Sequence, residues 1–178
     1  MLKDIAYKVV PGFLIRILKK YHYYSKLRNT TIESEEDLQM LSYFIKEGDQ
    51  VMDIGANYGT YTKFMSQYCG SSGKVLSFEP VPETFTYLSH NIRIHQFTNA
   101  IPINCALSDR NGTARMKIPK YSNSGDNLYE AKIVKEGIDG SDAFTVRVCS
   151  IDDICEKYAF RPAFIKCDVE GHEWEVMR

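Results

Sequence analysis

Two groups of residues in this chain have the types and spacing of a chemical site. The first is Asp53, inside the apolar run Val51 to Ile54, together with Glu79, which directly follows a second run, Lys74 to Phe78. Between them lies the turn Gly55-Ala56-Asn57-Tyr58-Gly59. Glycine there permits positive φ and close backbone approach to a ligand, and a carboxylate ending the next strand can accept hydrogen bonds from both hydroxyls of a ribose. The second group is Asp168, Glu170, His172 and Glu173, which cluster at the end of the apolar run Ile165 to Val169. Asp168 is suited to binding an ammonium group, orienting an acceptor or holding a hard cation. Glu170 and His172 are candidate general bases, since imidazole ordinarily titrates near neutral pH. Glu173 could equally serve a helix dipole.

The glycine pattern bears on the ligand. A dinucleotide lays its pyrophosphate on a helix N-terminus and usually requires G-x-G-x-x-G. Here no glycine occupies position 57, Tyr58 is bulky, and the charge of Asp53 would repel a pyrophosphate. An acidic residue beside the loop suits a ligand with an ammonium group, which S-adenosylmethionine (SAM) carries, so SAM is favoured over NAD.

These residues require a particular framework. Val51 to Ile54, Lys74 to Phe78, Ala100 to Cys105 and Ile165 to Val169 read as four strands of a parallel sheet. Tyr61, Phe64, Met65 and Tyr68 have helical spacing after the glycine turn, and Pro82 opens a helix with Phe85, Leu88 and Ile92 on one face. Ser34 with Asp37 reads as a variant capping box for a helix ending at Gly48, and Ser150 with Asp153 as another helix start. Thr113 to Ile118 and Phe144 to Val148 alternate as two antiparallel strands. The connection from Pro119 to Ala143 is long enough to suggest a substrate loop near the acceptor.

Composition narrows the class. The chain has 178 residues, 44% apolar and 25% charged, which suits one globular domain, and its net charge of -1 argues against a nucleic-acid binder. The five cysteines form no C-x-x-C pair, so neither a disulfide framework nor a zinc site is expected, and a reducing, cytoplasmic compartment follows. Residues 1 to 28 carry Lys3, Lys8, Arg16, Lys19, Lys20, Lys26 and Arg28 against Asp4, interleaved with Phe13, Leu14, Ile17 and Leu18. Such a segment either packs on the domain, the favoured reading, or lies on an anionic membrane surface. Residues 1–32 are accordingly treated as an N-terminal segment and 33–178 as the ligand-binding domain.

Five blocks occur in order: Gly48-Asp49; Asp53 to Gly59; Phe78-Glu-Pro80; Ala106-Leu-Ser-Asp109 with Gly112; and Ile165-Lys-Cys-Asp-Val-Glu-Gly-His-Glu173. From about Glu33 onward the chain thereby resembles the FkbM-type SAM-dependent methyltransferases. The resemblance implies an α/β, Rossmann-like sheet with a β-hairpin insertion between its third and fourth parallel strands. It assigns SAM contacts to Asp53, Gly55, Ala56, Asn57, Gly59 and Glu79, and places the adenine near Asn104, Ala106 and Ser108. The implied reaction is O-methylation of a glycan or small metabolite. Ten residues follow Asp168, whereas this class normally carries several more strands. The chain therefore reads as truncated: a catalytically incomplete fragment, or a form that dimerises to cover its exposed sheet.

Overall fold

The computed structural model describes residues 11–119, 131–134 and 143–178. Helix α1 (Gly12–Asn29) and a 3-10 turn (Ile32–Ser34) precede α2 (Glu36–Phe44). Alternating strands and helices follow: β1 (Gln50–Ile54), α3 (Thr60–Cys69), β2 (Lys74–Phe78), α4 (Pro82–Ile94) and β3 (Ala100–Ile103). Then come β4 (Ala106–Leu107), β5 (Gly112–Lys117), β6 (Lys132–Val134), β7 (Phe144–Cys149), α5 (Ile151–Tyr158), β8 (Phe164–Cys167) and α6 (Glu173–Val176).

The main sheet has the order β3-β2-β1-β8, with every pair parallel. Parallel strands covered on both faces are apolar on both faces. Val51 and Val75 turn to one side, where they pack with Leu38, Leu41, Phe64, Met65 and Leu88. Met52, Ile54, Leu76 and Phe78 turn to the other, against Ile103, Ile154 and Phe160. Asp53 and Ser77 are register partners and share the side of Val51 and Val75 by the two-residue period.

Chain order runs outward from β1 through β2 to β3, and β8 then adds on the opposite flank of β1. The reversal leaves a crevice beyond the carboxyl ends of β1 and β8, the place where open α/β sheets bind ligands.

The structure corrects several sequence expectations. The third strand stops at Ile103, and Ala106 and Leu107 join a second sheet, of order β4-β7-β5-β6. β5 and β7 pair antiparallel as expected, but they belong to that four-stranded sheet rather than to a bare hairpin. β6 lies within the stretch read as a loop, and residues 120–130 and 135–142 of that stretch fall outside the described residues. Ser34 caps the preceding turn, accepting the Thr31 N–H at 2.9 Å, so α2 begins at Glu36. It ends at Phe44, before Gly48. Pro82 and Ser150 take their expected places at the starts of α4 and α5.

α1 is continuous with the core through its last turns. Leu27 is fully buried with Tyr58 and Tyr87, Tyr23 stacks on Tyr87 at 4.6 Å between centroids, and Lys63 donates to the Leu27 and Thr30 carbonyls. Phe13, Ile17, Leu18 and Tyr21 remain exposed. Among the described residues no helix is long and apolar enough to cross a membrane.

Candidate active site

A pocket opens at the carboxyl ends of β1, β2 and β8. It is lined by Gly55, Ala56, Asn57, Glu79, Ala106, Asp168, Glu170 and His172 from the expected set, and by Glu35, Tyr61, Met116, Ile133 and Lys166, among others.

Glu79 is its most constrained charged group. It is only 6% exposed, and each carboxylate oxygen accepts one backbone N–H, from Asn57 at 3.0 Å and Val81 at 2.9 Å. Burial pushes its carboxyl up to about 7, against the pull of those two donors; Asp53 adds to the rise and Lys166 opposes it. One N–H per oxygen leaves lone pairs for further donors, which the two hydroxyls of a ribose would supply. The residues present therefore fit a nucleoside.

The loop that brings Asn57 to Glu79 is fixed by backbone bonds. Gly55 and Ala56 both donate to the Phe78 carbonyl, at 3.1 and 2.9 Å, while Asp168 donates to Ile54 O at 3.1 Å. Gly55 has φ +77°, and a Cβ there would overlap the carbonyl of Asp168. The close approach at this glycine includes one to the neighbouring strand's backbone, on the edge of the pocket. Asn57 takes φ 51°, and its Oδ1 accepts the Tyr58 N–H at 2.9 Å. Gly59, φ 104°, is the N-cap of α3.

Asp53 does not face the pocket. The strand period turns it toward α3, where it is fully buried and accepts the Thr62 hydroxyl at 2.6 Å; Thr62 in turn bonds Ser77 at 2.9 Å. Its Oδ1 has no hydrogen bond and looks toward Lys166 Nζ at 3.6 Å. The ammonium-facing role expected of Asp53 is thereby corrected: Lys166 stands at the pocket wall and Asp53 lies behind it.

Asn104 spends its amide on the Glu79 and Pro80 carbonyls, at 2.7 and 3.1 Å, so it shapes the Glu79 turn from outside the pocket. Ser108 also lies off the lining, and its hydroxyl meets His172 Nε2 at 3.0 Å. His172 Nδ1 faces Glu175 at 3.5 Å, so both ring nitrogens are engaged. Glu170 is exposed, at φ 54°, and lines the pocket. Glu173 accepts the Val169 and Gly171 N–H groups at 3.1 and 3.2 Å. Its own N–H and these two hold its carboxyl below the usual range. It thus pins the loop containing Glu170. Asp168 was expected to be a buried carboxylate in need of a partner; its side chain is 65% exposed, with Lys166 at 3.5 Å.

Lys166, Tyr61 and Glu35 were missed. Lys166 precedes Asp168 by two residues on a strand, so strand period alone places both on one side. Tyr61 was absorbed into the apolar stripe of its helix, and Glu35 offered no signal.

A parallel α/β sheet with a glycine turn after β1, a buried carboxylate ending β2 and an acidic cluster after β8 defines a domain built to hold a nucleoside. The family model for the methyltransferase FkbM domain matches residues 53–178, and the chain belongs to that family. Hexuronic acid methyltransferase AglP of Haloferax volcanii is 30% identical over 149 residues, covering 83% of this chain and 56% of that protein. Methyltransferase sdnD of Sordaria araneosa is 26% identical, covering 72% and 59%. The crystal structure of a methyltransferase FkbM from Methylobacillus flagellatus KT covers 72% of this chain and 28% of its own, with 17% identity and a TM-score of 0.49. The chain spans about half the length of the curated relatives it matches.

Proposed function

We propose that this chain provides the cofactor site of a SAM-dependent O-methyltransferase whose acceptor is a hydroxyl of a sugar or small metabolite. The observation that carries the reading is Glu79, a buried carboxylate with lone pairs to spare at the end of β2, facing the loop that holds Asn57. The hexuronic acid methyltransferase among the relatives supports a sugar acceptor. SAM supplies an electrophilic methyl group, and the chain must hold the nucleoside, align the acceptor and take up the acceptor's proton. Glu79 holds the ribose. Glu170 takes the proton, because His172 would first have to release Ser108.

Calorimetric titration with S-adenosylhomocysteine, with NAD in parallel, tests the site. One-to-one binding of the first alone, lost in Glu79→Ala with the fold retained, is expected; binding of NAD alone would overturn the reading. Glu170→Gln should lower turnover by roughly a hundredfold or more, the usual contribution of a general base. The product to measure is S-adenosylhomocysteine released with uronic acid and other sugar acceptors.

Location and surface contacts belong to the same proposal. All five cysteines are free, which favours a reducing cytoplasm. α1 has no acidic residue, and Phe13, Ile17 and Leu18 are exposed beside Arg16 and Lys20. We infer that this face rests on an anionic lipid surface. Co-sedimentation with anionic but not neutral vesicles, weakened in Ile17→Asp, is expected; equal recovery with both would exclude it.

A further inference from the structure

Part of the pocket wall differs in character from the rest. Phe78, Val81, Ala106, Leu107 and Met116 are apolar, whereas Glu35, Tyr61, Lys166 and Asp168 form one connected polar stretch. Lys166 Nζ sits 4.9 Å from the Tyr61 ring centroid and 3.5 Å from Asp168 Oδ2, and the Tyr61 hydroxyl bonds Glu35. Burial, then the nearby carboxylates, raise the Tyr61 hydroxyl's pKa well above the ordinary phenol range, so it stays a donor.

Lys166 also has partners behind the wall. It donates to the Gly55 carbonyl at 3.1 Å and lies 3.6 Å from Asp53 Oδ1, an oxygen without a hydrogen bond. A buried carboxylate is tolerated when a cation balances it, and Lys166 is the cation paired with Asp53. The ammonium is thus anchored from the rear while its outward side meets Asp168.

A cation and an anion side by side at a pocket wall complement the two charges of an α-amino acid. We propose that Lys166 and Asp168 form the subsite for the amino-acid end of the cofactor, Lys166 donating to its carboxylate and Asp168 accepting from its ammonium. This rests on the cofactor reading above. The Lys166–Asp168 pair opens as the zwitterion enters, each charge exchanging one partner for another. Asp53 acts from behind as the counter-ion that keeps Lys166 charged and in place.

Two ligands separate the ends of the cofactor. S-adenosylhomocysteine carries the amino acid, and 5′-methylthioadenosine has the same adenine, ribose and thioether without it. Lys166→Met should weaken the first by roughly tenfold or more, the scale of a lost charge-assisted contact, and change the second by less than about twofold. Because that variant strands Asp53 without its cation, Asp53→Asn/Lys166→Met is measured beside it, with melting curves for both. The double variant should keep the fold and still discriminate poorly between the two ligands. Equal weakening of both ligands by Lys166→Met, no weakening of either, or recovery of S-adenosylhomocysteine affinity in the double variant would each overturn the proposal. Failure of both ligands to bind the unaltered chain would instead overturn the cofactor reading on which it stands.

Discussion

The carbonyl oxygen of Asp168 occupies the space that a Cβ on Gly55 would need. The first residue of the glycine loop is therefore in direct backbone contact with the end of β8, and Lys166 bonds the same glycine's carbonyl. Residues more than a hundred positions apart in sequence close one pocket through this contact.

Gly55→Ala should consequently destabilise the chain well beyond the ordinary cost of positive φ. Gly171 is the control: it takes φ +89° with open space where its Cβ would stand. Gly171→Ala should cost about 1 kcal/mol and Gly55→Ala about 3 kcal/mol or more, since backbone must also shift. Denaturant unfolding compares the two, and equal losses would contradict the contact.

Glu79 makes stability and affinity respond to pH in opposite directions. Its carboxyl sits at about 7 in the folded chain against an ordinary value of 4.5. The folded state thus binds the proton more tightly than the unfolded state. The stabilisation from the protonated form is complete below 4.5 and is lost as pH rises through about 7, on the order of 3 kcal/mol. Ribose hydroxyls donate to the ionised form, so affinity for S-adenosylhomocysteine should tighten from pH 6 to pH 8. Glu79→Gln should flatten both profiles, as thermal melting and calorimetry across that range would show.

Thr62 bridges Asp53 and Ser77 across the buried face of β1 and β2. Thr62→Val removes the donor to Asp53 and leaves two buried polar groups unsatisfied, at a cost of roughly 2–3 kcal/mol. Adding Ser77→Ala removes one of the stranded groups, so the double variant should lose less than the sum of the singles. Additive losses in a double-mutant cycle would mean the hydroxyls are not coupled.

Leu27 tests whether α1 belongs to the domain. Its side chain is fully buried with Tyr58 and Tyr87, and Leu27→Ala should cost about 2–4 kcal/mol. An unchanged unfolding midpoint would mark the helix as an appendage.

The sequence by itself marked the first two strands of the main sheet, the glycine turn between β1 and α3, and two helix starts. Parallel strands buried on both faces are near-continuous apolar runs, so Val51 to Ile54 and Lys74 to Phe78 were legible locally. The local chemistry of Pro82 and Ser150 marked two helix starts in the same way. Glu79 was legible as a pocket residue because its place follows from strand length alone. The tertiary structure decided which side chains face the pocket. Asp53 lies two residues before the loop, yet the two-residue strand period and the presence of Thr62 turn it under α3. Lys166 enters only because β8 lies beside β1 in a register that pairs it with Asp53. Ser108 engages His172 from 64 positions away. Such pairings depend on register and crossover, which spacing along one chain does not encode until the sheet is assembled.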